Sequence, residues 1–408
     1  MGMIKAKPKK REFEMISNTG TIMNKQTKAN FTLSTRRSVL TGLMLIGGGM
    51  MMASGEGIGH FFGTLFKYGF TSEGYHEMLR TSHDPDIRFG NFSPDGTKVV
   101  LNYRPMVDNE EGITYIGILE IATGKLQLIR PSQEYKMWYD GSFSPDGKEM
   151  VFSYTLREKV EENVGLGILN LNTLGFRVIL KSNRGRQNTS FSPDGKHLIY
   201  FKVEYAQTKN GKMNYIGKDV YDMDLETQQE NRLTNLHFFG GKAAPRYFPD
   251  GEKYIFAAEY PTTDLYYSST RHHELYKENN TYVFNRNVLQ VEAIPAIIHK
   301  EHSRFADISQ DGKKILCIAM SDLHKYNHSK KYNYELFMYE NAQMHQLTDL
   351  QWKIIDAALS PDGREAVFVA DTTPSRGSEQ KIYLYNLNTN TTTHIELKPE
   401  NTTWLDAK

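Results

Sequence analysis

The sequence predicts an all-β protein built from six repeated four-stranded units. The main observation is a turn motif, a large apolar residue followed by Ser-Pro-Asp-Gly, which occurs six times with small changes. The intervals between its aspartates are 51, 48, 56, 61 and 51 residues, as expected for the blades of a propeller. The aspartates are Asp95, Asp146, Asp194, Asp250, Asp311 and Asp362. We therefore expect a six-bladed β-propeller of antiparallel blades over residues 84–398.

Each motif is expected to form the turn between the first two strands of a blade. Proline presets φ at the second turn position, aspartate tolerates the third, and glycine supplies the positive φ at the exit. A run that is apolar on both faces follows each turn, as in residues 99–101, and is typical of a strand packed between two sheets. Small residues precede the motif, as an innermost strand near the axis requires: Gly90, Gly141, Thr189, Pro245, Ala306 and Ala357.

A second hairpin with an Asx-type turn appears later in most repeats, for example in residues 118–124 and 384–389. It completes four strands in each repeat. The sixfold motif resembles the TolB-type propeller repeat over about three-quarters of the chain. That repeat also occurs in oligogalacturonate lyases and in propellers that precede serine peptidase domains. The Tol protein carries an α/β domain before its propeller, whereas in this sequence only residues 56–83 separate the predicted signal from the first predicted blade. The resemblance therefore implies the fold and not the Tol partners.

The N-terminal segment has the order of an export signal. Residues 1–37 contain nine basic and two acidic side chains, and residues 38–55 are uncharged and rich in glycine. Arg36 and Arg37 stand in a run similar to a twin-arginine signal. We expect a signal or anchor at 1–55, a connecting segment at 56–83, the propeller at 84–398 and a tail at 399–408. The alternatives are an inner-membrane anchor through residues 38–55 and a buried helix.

Composition excludes several classes of protein. A net charge of +1 gives no reason to expect nucleic acid as a partner. The single cysteine, Cys317, excludes a disulfide framework and a thiolate zinc cluster, and mean hydropathy of −0.55 excludes a polytopic membrane protein. The sequence lacks Gly-x-Ser-x-Gly and His-Glu-x-x-His motifs. We expect neither a cofactor nor a metal, and a non-enzymatic role is favoured.

Charged side chains near the starts of the predicted inner strands are the candidate ligand site. A closed ring would bring them to one mouth of the channel, where arginines could hold an anion by bidentate contacts. The alternative is that they pair with one another and with solvent. These residues are Arg88, Asp140, Arg186, Arg246, Arg304 and Asp356. We expect Arg88, Arg246 and Arg304 to outnumber the carboxylates there and to create a positive potential.

The fourth repeat contains an aromatic loop that departs from the others. Its side chains favour a surface that docks a partner protein, and a metal site is the alternative. The loop residues that support this interpretation are Tyr266, Tyr267, His272, His273 and Tyr276.

These observations favour an exported, monomeric propeller in the periplasm. It would act as a binding or scaffold module for an envelope protein or for an anionic glycan or peptide. The alternative is a polysaccharide lyase that uses channel arginines, His299 or His302, and a divalent metal. A third possibility is a sensor domain that residues 38–55 hold at the inner membrane.

Overall fold

A computed structural model describes residues 85–105, 113–158, 160–207, 210–211, 213–238, 241–258, 280–285, 291–293, 304–321, 333–372 and 380–408. The predicted signal, with Arg36 and Arg37, and the whole of the predicted connecting segment lie outside these ranges. The described part consists of β-strands and one 3₁₀-helix, Pro399–Asn401. Within it, we find no helix whose length and apolar character would allow it to cross a membrane.

The first half of the described chain contains three groups of four antiparallel strands. Group 1 comprises β1 (Asp86–Phe92), β2 (Lys98–Arg104), β3 (Tyr115–Glu120) and β4 (Leu126–Arg130). Group 2 comprises β5 (Tyr135–Phe143), β6 (Glu149–Leu156), β7 (Val164–Asn170) and β8 (Phe176–Ser182). Group 3 comprises β9 (Arg186–Phe191), β10 (His197–Gln207), β11 (Met213–Asp224) and β12 (Glu230–Arg232).

The second half repeats the same order of strands. Group 4 comprises β13 (Gly241–Tyr247), β14 (Lys253–Ala258), β15 (Asn280–Asn285) and β16 (Val291–Ala293). Group 5 comprises β17 (Arg304–Ile308), β18 (Ile315–Met320), β19 (Tyr334–Glu340) and β20 (Gln343–Gln346). Group 6 comprises β21 (Lys353–Leu359), β22 (Glu365–Asp371), β23 (Gln380–Asn386) and β24 (Thr391–Ile395).

The hydrogen bonds between strands do not separate all of these groups from one another. Tyr334 of β19 and Lys353 of β21 form a parallel pair, which joins groups 5 and 6 into one eight-stranded sheet. The described strands therefore form five sheets rather than the six separate ones that the repeat count predicts. The difference comes from this one pair at the strand ends.

The inner strands of the groups contact one another in a ring, in the order β1, β5, β9, β13, β17, β21 and back to β1. The packing at the ring explains the small residues that the sequence places there. A methyl group added to Gly90 would lie 2.1 Å from the carbonyl oxygen of Gly141 in the next inner strand. The fold is an all-β propeller, as the sequence predicts.

The repeated motif forms the predicted turn between the first two strands of each group. In group 1, Ser93 Oγ donates to Asp95 Oδ1 at 2.6 Å and accepts from the Lys98 amide at 3.0 Å. Gly96 follows with φ of 72°, in the region that favours glycine. The serine and aspartate therefore hold the turn together, and their recurrence reflects structure rather than binding.

The apolar core lies between neighbouring groups. Val100 and Ile116 of group 1 pack with Trp138 and Phe152 of group 2, and these two rings stack with their centroids 4.1 Å apart. Burying side chains of this size stabilises a fold by roughly 1.5–3 kcal/mol each. The groups therefore cohere around the ring, and their inner strands hold side chains at fixed positions in the channel.

The C-terminal residues, expected to form a tail, contain a further strand. β25 (Thr402–Asp406) pairs in parallel with β4 at the outer edge of group 1. The Lys408 amide then donates to the carbonyl oxygen of Leu174 in group 2 at 2.8 Å. The chain end therefore connects the last group to the first two, which the sequence did not predict.

Candidate ligand site in the central channel

Two cavities occupy the channel in the part of the chain that the structure describes. The first, of about 370 Å³, is lined by the ends of the inner strands and by the prolines of the turn motifs, and we call it the turn cavity. The second, of about 220 Å³, is lined by the first and middle residues of the inner strands, and we call it the charged cavity. Arg246 also lines it, although it is the sixth of the seven residues of β13 and not, as expected, at the start of its strand. Five of the six predicted channel residues line the charged cavity: Arg88, Asp140, Arg246, Arg304 and Asp356.

Arg186 is the exception. Its Nε and Nη2 atoms donate to the two carboxylate oxygens of Glu230 at 2.9 and 2.8 Å. Lys202 and Tyr200 donate to the same carboxylate, and Tyr200 belongs to the core shared with group 2. Arg186 is 4% exposed and does not line either cavity. Its guanidinium is a paired, buried group at the interface between groups 2 and 3.

Asp140 and Asp356 connect neighbouring inner strands. Asp140 Oδ2 accepts from the Asn188 amide of group 3 at 2.7 Å, and Asp356 Oδ2 accepts from the Phe89 amide of group 1 at 2.9 Å. Burial raises the pKa of both carboxyls above the ordinary value, although these hydrogen bonds act in the opposite direction. Both carboxylates therefore hold the ring together, whatever else they bind.

Arg246 crosses the channel. It belongs to β13, and its Nη2 donates to the carbonyl oxygen of Gly90 in β1, on the opposite side of the ring, at 3.2 Å. Its Nε donates to Asp307 Oδ1 at 3.4 Å, while its buried Nη1 has no hydrogen-bond partner. Arg246 lines both cavities, so its guanidinium lies at the boundary between them.

Arg88 and Arg304 differ in how well their charges are compensated. Arg88 Nη1 forms an ion pair with Asp86 at 2.6 Å. Arg304 donates through Nη2 to the carbonyl oxygen of Ile355, but among the described residues no carboxylate lies within 4 Å of it. Burial lowers the pKa of Arg304, the charge of Asp356 raises it in part, and the nearby charge of Arg88 lowers it again.

The expected excess of positive charge is not present at this mouth. Three arginines and two aspartates line the charged cavity. However, Asp86 and Asp307 pair with Arg88 and Arg246, so the immediate surroundings hold four carboxylates and three guanidiniums. The expectation left out these two aspartates, although Asp86 is the first residue of β1, because spacing alone does not show which carboxylates pair with the arginines.

Sequence reasoning missed a recurring polar position two residues before the serine of the motif. In group 1, Asn91 Oδ1 accepts from the Phe143 amide of group 2 at 2.8 Å. In group 5, Asp307 Oδ2 accepts from the Leu359 amide of group 6 at 3.1 Å. Ser190 and Arg246 occupy equivalent places. The repetition of polar residues at this register was a signal for contacts between neighbouring inner strands.

Several predicted site residues lie outside the described residues. They are Tyr266, Tyr267, His272, His273 and Tyr276 of the aromatic loop, and His299 and His302 of the lyase alternative. Within the described ranges, no group of three or more His, Cys, Asp or Glu side chains could hold a metal ion.

Solved structures of low sequence identity share this architecture. TolB from Acinetobacter baumannii is 17% identical, with a TM-score of 0.50, and the match covers 79% of this chain and 67% of that one. The chain has a TolB-like β-propeller fold. A putative TolB from Agrobacterium tumefaciens is 20% identical over 68% of this chain and 87% of that one, with a TM-score of 0.47. An oligogalacturonate lyase in complex with manganese is 15% identical over 77% of this chain and 79% of that one, with a TM-score of 0.48.

These likenesses extend to the fold alone. No protein-family model matches the sequence, and no curated protein matches it. The activity of this TolB-like propeller therefore has to be argued from its own channel.

Proposed function

We propose that the chain is an exported, non-enzymatic binding module whose ligand enters the charged cavity. The observation that carries this proposal is the convergence of five charged side chains from groups 1, 2, 4, 5 and 6 on one small cavity. Residues so distant in the sequence meet only because the ring closes. A propeller that presents charged groups at a channel mouth, on rigid inner strands, is suited to binding.

The ligand we propose carries carboxylates, as an anionic glycan or an acidic peptide does. Arg304 supports this because it has guanidinium donors beyond its bond to Ile355 and no carboxylate within 4 Å among the described residues. The test is calorimetric titration of oligogalacturonate and of an acidic peptide into wild type and an Arg304→Ala variant. Binding should weaken with salt, since the Debye length is about 8 Å near 0.15 M. If both proteins bind the ligands equally and without salt dependence, the charged cavity is not the binding site.

We also propose that the propeller has six blades. The six groups of strands and the contacts between all six inner strands support this count, although one pair of residues joins groups 5 and 6. An experimental structure that shows a different number of inner strands around the channel would refute it.

The proposed location is the periplasm, either free or held at the inner membrane by residues 38–55. Support comes from the basic segment, the Arg36–Arg37 pair and the uncharged stretch that follows. Replacing both arginines by lysine should block export if the twin-arginine route is used, and fractionation of cells would measure this. Unchanged accumulation of the variant in the periplasm would exclude that route.

A further inference from the structure

The charged cavity contains two groups of opposite sign, on opposite sides of the channel, that form no ion pair within 4 Å among the described residues. Arg304 begins β17 in group 5, and Asp140 lies in β5 of group 2. The ring order is β1, β5, β9, β13, β17, β21, so β5 and β17 face each other across the channel. Both residues line the cavity of about 220 Å³.

Arg304 supplies the positive side. A guanidinium has five N–H donors, and among the described residues Arg304 uses Nη2 for one hydrogen bond, to Ile355. A second donor is available from Arg246, because its Nη1 is buried without a partner and Arg246 lines the same cavity. Two guanidiniums that have unused donors and line one cavity are suited to a carboxylate.

Asp140 supplies the negative side. Its oxygens accept from the Asn188 amide and, at 3.3 Å, from Asn102 Nδ2. An ionised carboxylate has about four acceptor sites, so these two bonds leave capacity for further donors. Among the described residues, no cationic side chain lies within 4 Å of it, and the charge of Lys218 acts on it from a greater distance. A cation bound here would relieve the cost of burying this carboxylate.

The other charges of the cavity have partners. Arg88 pairs with Asp86, Arg246 with Asp307, and Asp356 accepts from two backbone amides. A purely anionic ligand would satisfy Arg304 but would lie near the Asp140 carboxylate. A ligand with one negative and one positive group would satisfy both.

We propose that the charged cavity binds a small amino-carboxylic acid, with its carboxylate at Arg304 and Arg246 Nη1 and its ammonium at Asp140. This inference deepens the proposed function and rests on it, because it names the class of ligand for the same cavity. The cavity volume limits the ligand to a small molecule. The methyl groups of Ala243, Ala244, Ala306 and Ala357 leave room for it between the charged side chains.

The test is titration of the full chain with a matched series of small molecules. L-alanine and γ-aminobutyrate carry both charges, propionate carries only the carboxylate, and ethylammonium carries only the cation. We expect at least one amino acid to bind more than about tenfold tighter than either half-molecule, since each buried charged contact contributes strongly. Calorimetry measures all four at one ionic strength.

Variants assign the two ends of the ligand. Asp140→Asn should weaken binding of the amino acid by about tenfold or more and should not weaken binding of propionate, whereas Arg304→Gln should weaken binding of both. Arg130→Gln, at the outer edge of group 1, is the matched control and should bind as wild type does. Thermal unfolding of each variant confirms that it folds, and the ligand series on wild type decides the question if Asp140→Asn does not fold.

The possible outcomes separate this inference from the proposed function. Propionate binding as tightly as the amino acids would overturn the inference and leave an anion site. Oligogalacturonate or the acidic peptide binding with salt dependence, while no amino acid binds, would also overturn the inference alone. If no ligand of either kind binds, both proposals fail.

Discussion

Arg186 and Arg304 each begin an inner strand, yet their side chains lie in opposite kinds of environment. Arg186 is held by a bidentate contact with Glu230, deep between two groups of strands. Arg304 faces the channel and has no carboxylate within 4 Å among the described residues. One arginine completes an ion network, and the other has guanidinium donors that the described residues do not use.

The difference follows from register. Arg304 stands five residues before the serine of its motif, Ser309, as Arg88 stands five before Ser93. Arg186 stands six residues before Ser192. The residue of group 3 that stands five places before the serine is Gln187, so Arg186 is not the equivalent of Arg304. Position near the start of an inner strand is therefore not enough to assign a residue to the channel.

The largest effect should come from removing the carboxylate that compensates Arg186. Glu230→Gln leaves Arg186 and Lys202 buried without a counter-charge, and the expected loss of unfolding free energy is about 3–5 kcal/mol. Urea unfolding measures it. The matched control is Glu149→Gln, which breaks a partly exposed pair with Arg177 and should cost no more than about 1 kcal/mol. Equal losses of unfolding free energy in the two variants would show that the Arg186 network stabilises the fold no more than the exposed pair does.

At acid pH, the free energies of unfolding of wild type and Glu230→Gln should become more alike. Burial alone would raise the pKa of Glu230, but hydrogen bonds from Arg186, Lys202 and Tyr200 lower it from 4.5 to about 2. A carboxyl with a lowered folded-state pKa stabilises the fold above its unfolded-state pKa and loses that contribution as the pH falls through the folded value. The difference in unfolding free energy between wild type and Glu230→Gln should be constant above pH 5 and should shrink by about 3 kcal/mol towards pH 2.

Urea unfolding of both proteins at a series of pH values is the measurement. The raised pKa values of Asp140, Asp307 and Asp356 have the opposite sign, because such groups take up protons first in the folded state. They are present in both proteins and cancel in the difference. A difference that does not change down to the lowest accessible pH would argue against the ion network.

An exposed arginine provides the smallest effect in this series. Arg130 pairs with Asp406 of β25 at 2.8 Å and lies over the Trp404 ring at 4.8 Å, but about half of its side chain is exposed. Arg130→Gln should therefore lower the unfolding free energy by no more than about 1 kcal/mol, and the effect should diminish in 1 M salt. A loss as large as that of Glu230→Gln would mean that β25 contributes more to closing the ring than its exposure indicates.

The repeated motif predicted the propeller and its turns because each residue of the motif has a local role, shown by Ser93, Asp95 and Gly96. It did not predict β25, because the pairing of Thr402–Asp406 with β4 joins segments far apart in the sequence. The convergence of Arg88, Arg246 and Arg304 could be expected from a closed ring. Their partners could not, because Asp86 and Asp307 act through side-chain geometry that has no signature in spacing.

The most direct test of the distinction between Arg186 and Arg304 is to measure the unfolding free energies of Arg186→Met and Arg304→Met side by side. Methionine keeps much of the apolar stem and removes the charge. Arg186→Met should lose about 3 kcal/mol, because it takes the bidentate partner from a buried carboxylate. The unfolding free energy of Arg304→Met should differ from that of wild type by less than about 1 kcal/mol or should be higher. The reason is that the substitution removes a buried cation that forms no ion pair within 4 Å. Equal losses in the two variants would contradict the account and show that Arg304 is a structural residue like Arg186.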